Sequence, residues 1–237
     1  MLQATNAYAP GSSSSTPSAS SMATICGAST CPAATLRALL SNFSSQCSDE
    51  LTTSPNSNVV MLYDILYLNN PMYTALCSKS DSGSYCALAS TTTTSSSAAA
   101  ASVVAAAEDA QKYISDNGAL NRTAFTNDSV PFMFLSSSGL TSAQCTTCTR
   151  NIMTSYINWE SDSPYAPGLA NSQLLSGQTA LYNAMTTTCG SGFLSGAVQA
   201  AGGLGTGSKD NGSFKSTGFD IRTIAVALVS MLMASML

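Results

Sequence analysis

The chain has 237 residues, of which 44% are hydrophobic and only 8% charged, with a net charge of −4 at pH 7 and no histidine at all. That much apolar character excludes general disorder and suffices for one domain with a real core. The absence of a basic cluster argues against nucleic acid and against anionic lipid as partners, and the absence of histidine excludes Ser-His-Asp catalysis and removes the commonest metal ligand. An ordinary soluble domain carries roughly 25% charged residues. This surface must instead draw its solubility from hydroxyls, amides or attached sugars.

Residues 1–25 are rich in Ser, Thr, Pro and Ala and lack apolar periodicity, which predicts a flexible, O-glycosylated arm. The opening MLQATNAYAP shows no basic segment followed by an apolar one. Secretion would then require a start further upstream, or a leader already removed.

Helical patterns follow. Leu36, Leu39, Leu40, Phe43 and Cys47 fall on one helix face, with Pro32 suited to the first turn. Val59, Leu62, Tyr63, Leu66 and Tyr67 form a second stripe, after which Asn70-Pro71 is expected to restart a short helix that ends near Cys77. A Ser/Thr tract at Thr91–Ser97 precedes an Ala-rich helix predicted over Ala98–Asn117, with Asn117-Gly118 as its stop. Val130–Leu135 reads as the one candidate strand or as a packed loop. Thr141-Ser142-Ala143-Gln144 resembles a capping box, with Cys145, Cys148, Ile152, Tyr156 and Ile157 along one face behind it. Leu174, Leu175, Leu181, Tyr182, Met185 and Cys189 supply the last helical segment.

The fold class expected is therefore all-α: a disulfide-stabilised helical bundle over residues 26–195. Two faintly similar helical hairpins are discernible in it, 26–90 and 98–195. A Gly/Ser-rich stalk follows at 196–213.

Eight cysteines, Cys26, Cys31, Cys47, Cys77, Cys86, Cys145, Cys148 and Cys189, predict four disulfides made in an oxidising compartment. Eight allow 105 pairings. The best single guess is Cys77–Cys86 across a short loop helped to turn by Gly83, and Cys148–Cys189 would close the second hairpin. Cys31 with Cys47 is difficult: sixteen residues of helix span about 24 Å, against roughly 4.4–6.8 Å between the Cα atoms of a bridge.

Asn42-Phe-Ser, Asn121-Arg-Thr, Asn127-Asp-Ser and Asn211-Gly-Ser are N-glycosylation triplets. Asn121 and Asn127 are favoured because they are expected to lie in a polar loop. Asn42 sits on a predicted helix.

Residues 214–237 carry the strongest pattern. Ile224–Leu237 is an uncharged apolar run of 14 residues, shorter than the roughly 20 that a membrane span needs. A polar spacer, Phe214–Thr223, and a small-residue group, Asn211-Gly212-Ser213, precede it. These are the three parts of a glycosylphosphatidylinositol (GPI) attachment signal, removed on maturation. Asn211 is the expected attachment residue, with Gly212 and Ser213 as alternatives.

The run Leu62-Tyr63-Asp64-Ile65-Leu66-Tyr67, the block Leu76-Cys77-Ser78-Lys79-Ser80-Asp81-Ser82-Gly83-Ser84-Tyr85-Cys86 and the pair Cys145-Thr-Thr-Cys148 resemble a family of fungal secreted, cysteine-containing, GPI-anchored proteins catalogued only as a domain of unknown function. The resemblance extends over about Cys26 to Leu194. It implies a fungal surface location and a helical disulfide domain, and implies no activity.

Little in the sequence points to catalysis. Asp49-Glu50, Glu108-Asp109 and Glu160 with Asp162 are the carboxylates that lie close together, but neighbours on a helix point about 100° apart, and a glycosidase needs two carboxyls facing across a cleft. Cys145-x-x-Cys148 lacks the partners of a zinc or thioredoxin-type site; two bridges leaving one helix face is the better reading. Gly202–Gly207 lacks the flanking strand and helix of a phosphate loop. Trp159 with Tyr156 and Tyr165 is either a sugar-stacking patch or, more naturally, part of the core.

The function expected is that of a non-enzymatic, GPI-anchored extracellular glycoprotein of the fungal cell surface or wall, structural, adhesive or carbohydrate-binding. Its partners would be the membrane, through the lipid anchor, and cell-wall glycans, with no catalytic residue, cofactor or metal. The alternatives are a wall-polysaccharide hydrolase with a carboxylate pair and a carrier of a small apolar ligand.

Overall fold

The computed structural model describes residues 18–28, 30–88, 113 and 120–195. They form an all-α domain of six helices joined by short 3-10 and π turns: α1 (Ala19–Gly27), α2 (Ala33–Gln46), α3 (Ser57–Cys77), α4 (Arg122–Asn127), α5 (Thr147–Asp162) and α6 (Gln178–Cys189). One isolated antiparallel bridge pairs Lys79 with Tyr85. The Ala-rich helix expected over Ala98–Asn117 lies outside the described residues, as do the stalk and the apolar tail.

The central element is α3, which packs most extensively on α5 and also meets α2 and α1. Asn56 starts it: the side-chain oxygen accepts from the N–H groups of Asn58 and Val59, two of the four donors that a helix start leaves open. Its buried face is Val60, Tyr63, Asp64, Tyr67, Leu68, Pro71 and Ala75. The stripe is rotated from the expected one: Leu62 is exposed, together with Ile65. The sequence is apolar nearly all round here, so periodicity alone cannot pick the face.

Nor does Asn70-Pro71 restart a helix. Residues 57–77 are one helix with Pro71 inside it. A proline there removes a backbone hydrogen bond and costs about 3 kcal/mol. The turn survives because it is held from both sides. Pro71 is buried, its carbonyl accepts from Ser155 Oγ of α5 at 3.0 Å, and the helix end is tied by a disulfide at Cys77.

On α2 the predicted stripe holds, with Leu36 and Leu40 buried and Phe43 and Cys47 packed at the margin of the core. Pro32 is the residue that precedes its first turn. The predicted capping box at Thr141–Gln144 forms, but it closes a single 3-10 turn, Ser142–Gln144. The long helix begins later, at Thr147, with Thr146 capping the N–H of Thr149. Cys145 thus precedes α5 rather than lying on its face.

Val130–Leu135 is a packed loop. A 3-10 turn at Val130–Phe132 is flanked by Ser129, Met133 and Phe134 at φ 54°, 52° and 65°. These left-handed conformations are uncommon for non-glycine residues. Phe132 and Leu135 enter the core, and the Pro131 carbonyl accepts from the buried Tyr156 hydroxyl.

Three disulfides close the domain: Cys26–Cys77, Cys86–Cys148 and Cys145–Cys189. Neither guessed pairing, Cys77–Cys86 or Cys148–Cys189, is made. Cys77 ends α3 beside the last turn of α1, where Tyr73 donates to the Cys26 carbonyl at 2.8 Å. Cys86 lies past the bridged loop, which is docked on α5 by Thr147 donating to Asp81 at 2.6 Å and Asn151 donating to the Lys79 carbonyl at 3.1 Å. The two cysteines therefore face different helices. Cys145 and Cys148 send two bridges to two partners, Cys189 and Cys86. Cys31 and Cys47 remain thiols, not the fourth disulfide expected; they flank α2, and fourteen helical residues hold them about 21 Å apart.

Candidate functional site

The site richest in polar chemistry lies where the middle of α3 faces the C-terminal half of α5 and the loop between α5 and α6. Asp64 is fully buried. It projects from the buried face of α3 at the spacing that places Tyr63, Tyr67 and Leu68 on the same side. Its carboxylate accepts from four donors of the 165–174 loop: the Tyr165 hydroxyl, Ser172 Oγ at 2.8 Å, and the backbone N–H groups of Gln173 at 2.7 Å and Leu174 at 3.1 Å. Ser172 Oγ in turn accepts from the N–H of Leu175 at 2.8 Å. Burial pushes the Asp64 carboxyl above its ordinary range, and the four donors work against that rise.

An aromatic box surrounds this acid. The Tyr165 ring meets Tyr63 at 5.4 Å and Tyr67 at 5.1 Å between centroids, both edge to face, and Tyr67 meets Trp159 in the same manner at 6.1 Å. These are the separations at which aromatic pairs add about 0.5–1.5 kcal/mol beyond their burial. Burial pushes the hydroxyls of Tyr63, Tyr67 and Tyr165 upward, so all three keep their protons. Tyr67 donates to the Ser163 carbonyl at 2.5 Å, at the end of α5.

Trp159, Tyr156 and Tyr165 are 3%, 0% and 8% exposed. A sugar-stacking platform needs an open ring face, so this trio is core. The guanidinium of Arg37 on α2 lies 5.2 Å from the Trp159 ring centre and pairs with Asp162 at 2.7 Å.

The expected carboxylate neighbours are not brought together as a catalytic pair. Asp49 and Glu50 lie exposed in the π turn Asp49–Thr53. Glu160 turns to α6, where its Oε2 accepts from Gln178 Nε2 at 2.9 Å, whereas Asp162 turns to α2. Glu108 and Asp109 lie outside the described residues. Among the described residues no group of three or more Cys, Asp or Glu is placed to hold a metal ion, and no helix is long and apolar enough to cross a membrane.

The sequons Asn42, Asn121 and Asn127 are all exposed. Asn42 lies mid-helix on α2. Asn121 and Asn127 bound a short helix rather than lying in a loop: Asn121 caps α4, its side-chain oxygen accepting from the Ala124 N–H at 3.3 Å, and Asn127 is the last residue of the same helix. Asn211, Gly212 and Ser213 lie outside the described residues.

Sequence reasoning missed Asp64 and the Glu160–Gln178 pair. The trace of Asp64 was present as a carboxylate embedded in an otherwise apolar helical run, Leu62 to Leu68. Nothing local marked Gln178. Comparison of the chain with known protein families, with characterised proteins and with solved structures gives no match.

Proposed function

We propose that this chain is an extracellular glycoprotein held on the cell surface by a GPI lipid, serving as a non-catalytic structural or adhesive module that meets wall glycans. The observation that carries the reading is the set of three disulfides across sequence separations of 51, 62 and 44 residues. Bridges of this kind persist in oxidising compartments and are rare in the cytosol. The exposure of Asn42, Asn121 and Asn127 supports the reading. So does the order of Asn211-Gly212-Ser213, polar spacer and apolar tail. The low charge fits a surface whose solubility rests on attached sugars, and the likeness to a fungal surface family points the same way.

Two carboxylates of the polar site, Asp64 and Glu160, are engaged in holding loop and helix together. The hydrolase reading therefore draws no support from them.

The full gene expressed in yeast tests the proposal. Phosphatidylinositol-specific phospholipase C should release the protein from intact cells, and endoglycosidase should then increase its gel mobility. Recovery from the cytosol as an unglycosylated chain with all of its cysteines titratable as thiols would remove the reading.

A further inference from the structure

The contact between α5 and α6 has an unfilled hydrogen-bonding pattern. Gln178 Nε2 donates to Glu160 Oε2 at 2.9 Å. The other oxygen of each group, Glu160 Oε1 and Gln178 Oε1, is buried and has no partner. Gln178 is 3% exposed. Both oxygens are acceptors while Glu160 is ionised, so neither can satisfy the other. Buried acceptors without donors are uncommon and costly, at about 1–3 kcal/mol each. A carboxylic acid beside a carboxamide removes both defects with one proton: the acid O–H donates to the amide oxygen while the amide N–H donates to the acid oxygen. The terminal torsions of Glu and Gln are soft enough to bring the two planes together.

We infer that Glu160 carries a proton shared with Gln178, and that this two-bond acid–amide pair is a pH-sensitive latch between α5 and α6.

The surroundings agree. Burial raises the Glu160 carboxyl from its ordinary 4.5 to about 7, against the lowering effect of the Gln178 bond. From α3, the titratable group that faces it is Tyr67, whose hydroxyl is itself raised by the proximity of Glu160. From α6 it meets Gln178. The cation contributed at this end of α5 by α2, Arg37, pairs with Asp162 through Nη2, and its Nε is buried without a partner. In the unfolded chain Glu160 titrates at its ordinary value. Between pH 4.5 and about 7 the folded state therefore holds a proton that the unfolded state has lost. The latch contributes its full stability below pH 4.5, and that contribution is lost as pH rises through about 7. Its footprint is a decline of roughly a hundredfold in the folded-to-unfolded ratio between about pH 4.5 and about pH 8, since each pH unit separating the folded and unfolded midpoints is worth about a factor of ten.

The latch is independent of where the protein resides. The experiment uses the oxidised full chain. Carboxyl carbon-13 resonances are followed by NMR from about pH 3 to about pH 9, and unfolding by denaturant is measured at both ends of the expected decline. Wild type should show Glu160 titrating at about 7 and the hundredfold decline. Glu160→Gln presents an uncharged amide to Gln178 at every pH and should remove that part of the decline. The exchanged double variant, Glu160→Gln with Gln178→Glu, should restore it, because the acid–amide pair is rebuilt in reverse. A Glu160 midpoint in the ordinary carboxylate range overturns the proposal. So does an unchanged pH profile in Glu160→Gln. The wild-type titration decides the matter even where a variant fails to fold.

Discussion

The two ends of α5 are secured by opposite kinds of chemistry. At its start, Cys148 is joined to Cys86, the preceding Cys145 is joined to Cys189, and the polar contacts there are two surface bonds to the 79–81 loop. At its finish no covalent tie is present among the described residues. Trp159 lies in an aromatic box, Tyr67 holds the Ser163 carbonyl, Asp162 pairs with Arg37 and Glu160 meets Gln178. Few charges are available in this chain, and this end of the helix, where no disulfide lies among the described residues, holds the Arg37–Asp162 pair and the Glu160 carboxyl. Reductant should therefore act on one end of the helix and protons on the other.

Complete reduction should break this arrangement most severely. In the chain-entropy view each bridge, spanning a separation of 44 to 62 residues, contributes about 4 kcal/mol. Loss of all three rivals the whole stability of a domain of this size, so far-UV dichroism in excess reductant should report an unfolded chain at room temperature. Asp64→Ala comes next. It leaves the Gln173 N–H and two hydroxyls of the 165–174 loop without their acceptor, while the Leu174 N–H keeps only Ser172 Oγ at 3.2 Å, at a cost of about 4 kcal/mol, measurable as a lowered midpoint in urea. The disulfides should stay intact by thiol titration, which separates this polar failure from a covalent one. The smallest effect is expected for Arg37→Ala. Its pair with Asp162 is substantially exposed, so the loss should stay below about 1 kcal/mol, with the wild-type advantage shrinking further in high salt.

How much of this was legible depended on the range of the interaction. α2 follows from local periodicity, and α6 does so in part: Leu174 and Leu175, expected on that helix, lie in the turn that precedes its start at Gln178. The capping box was legible as chemistry and misleading as position, because a single 3-10 turn intervenes between Thr141 and the helix at Thr147. Local grounds make Pro71 a helix boundary. Contacts with α5, 84 residues away at Ser155, overrule them. The buried face of α3 is not legible locally because Leu62 and Ile65, which are exposed, are as apolar as the residues that are buried. Disulfide pairing and the donors that surround the Asp64 carboxylate are long-range facts throughout, and a buried Asp64 could be noticed in sequence only as a misfit among leucines and tyrosines.

Cys31 and Cys47 offer a conformational record of the chain's own history. With α2 formed, the two sulfurs stand at opposite ends of a rigid rod, and oxidation to one another is out of reach. A bond between them closes only while that rod is unwound. Its appearance in a peptide map would date the event to a time before α2 existed, and a chain so sealed could not wind the helix afterwards without being reduced first.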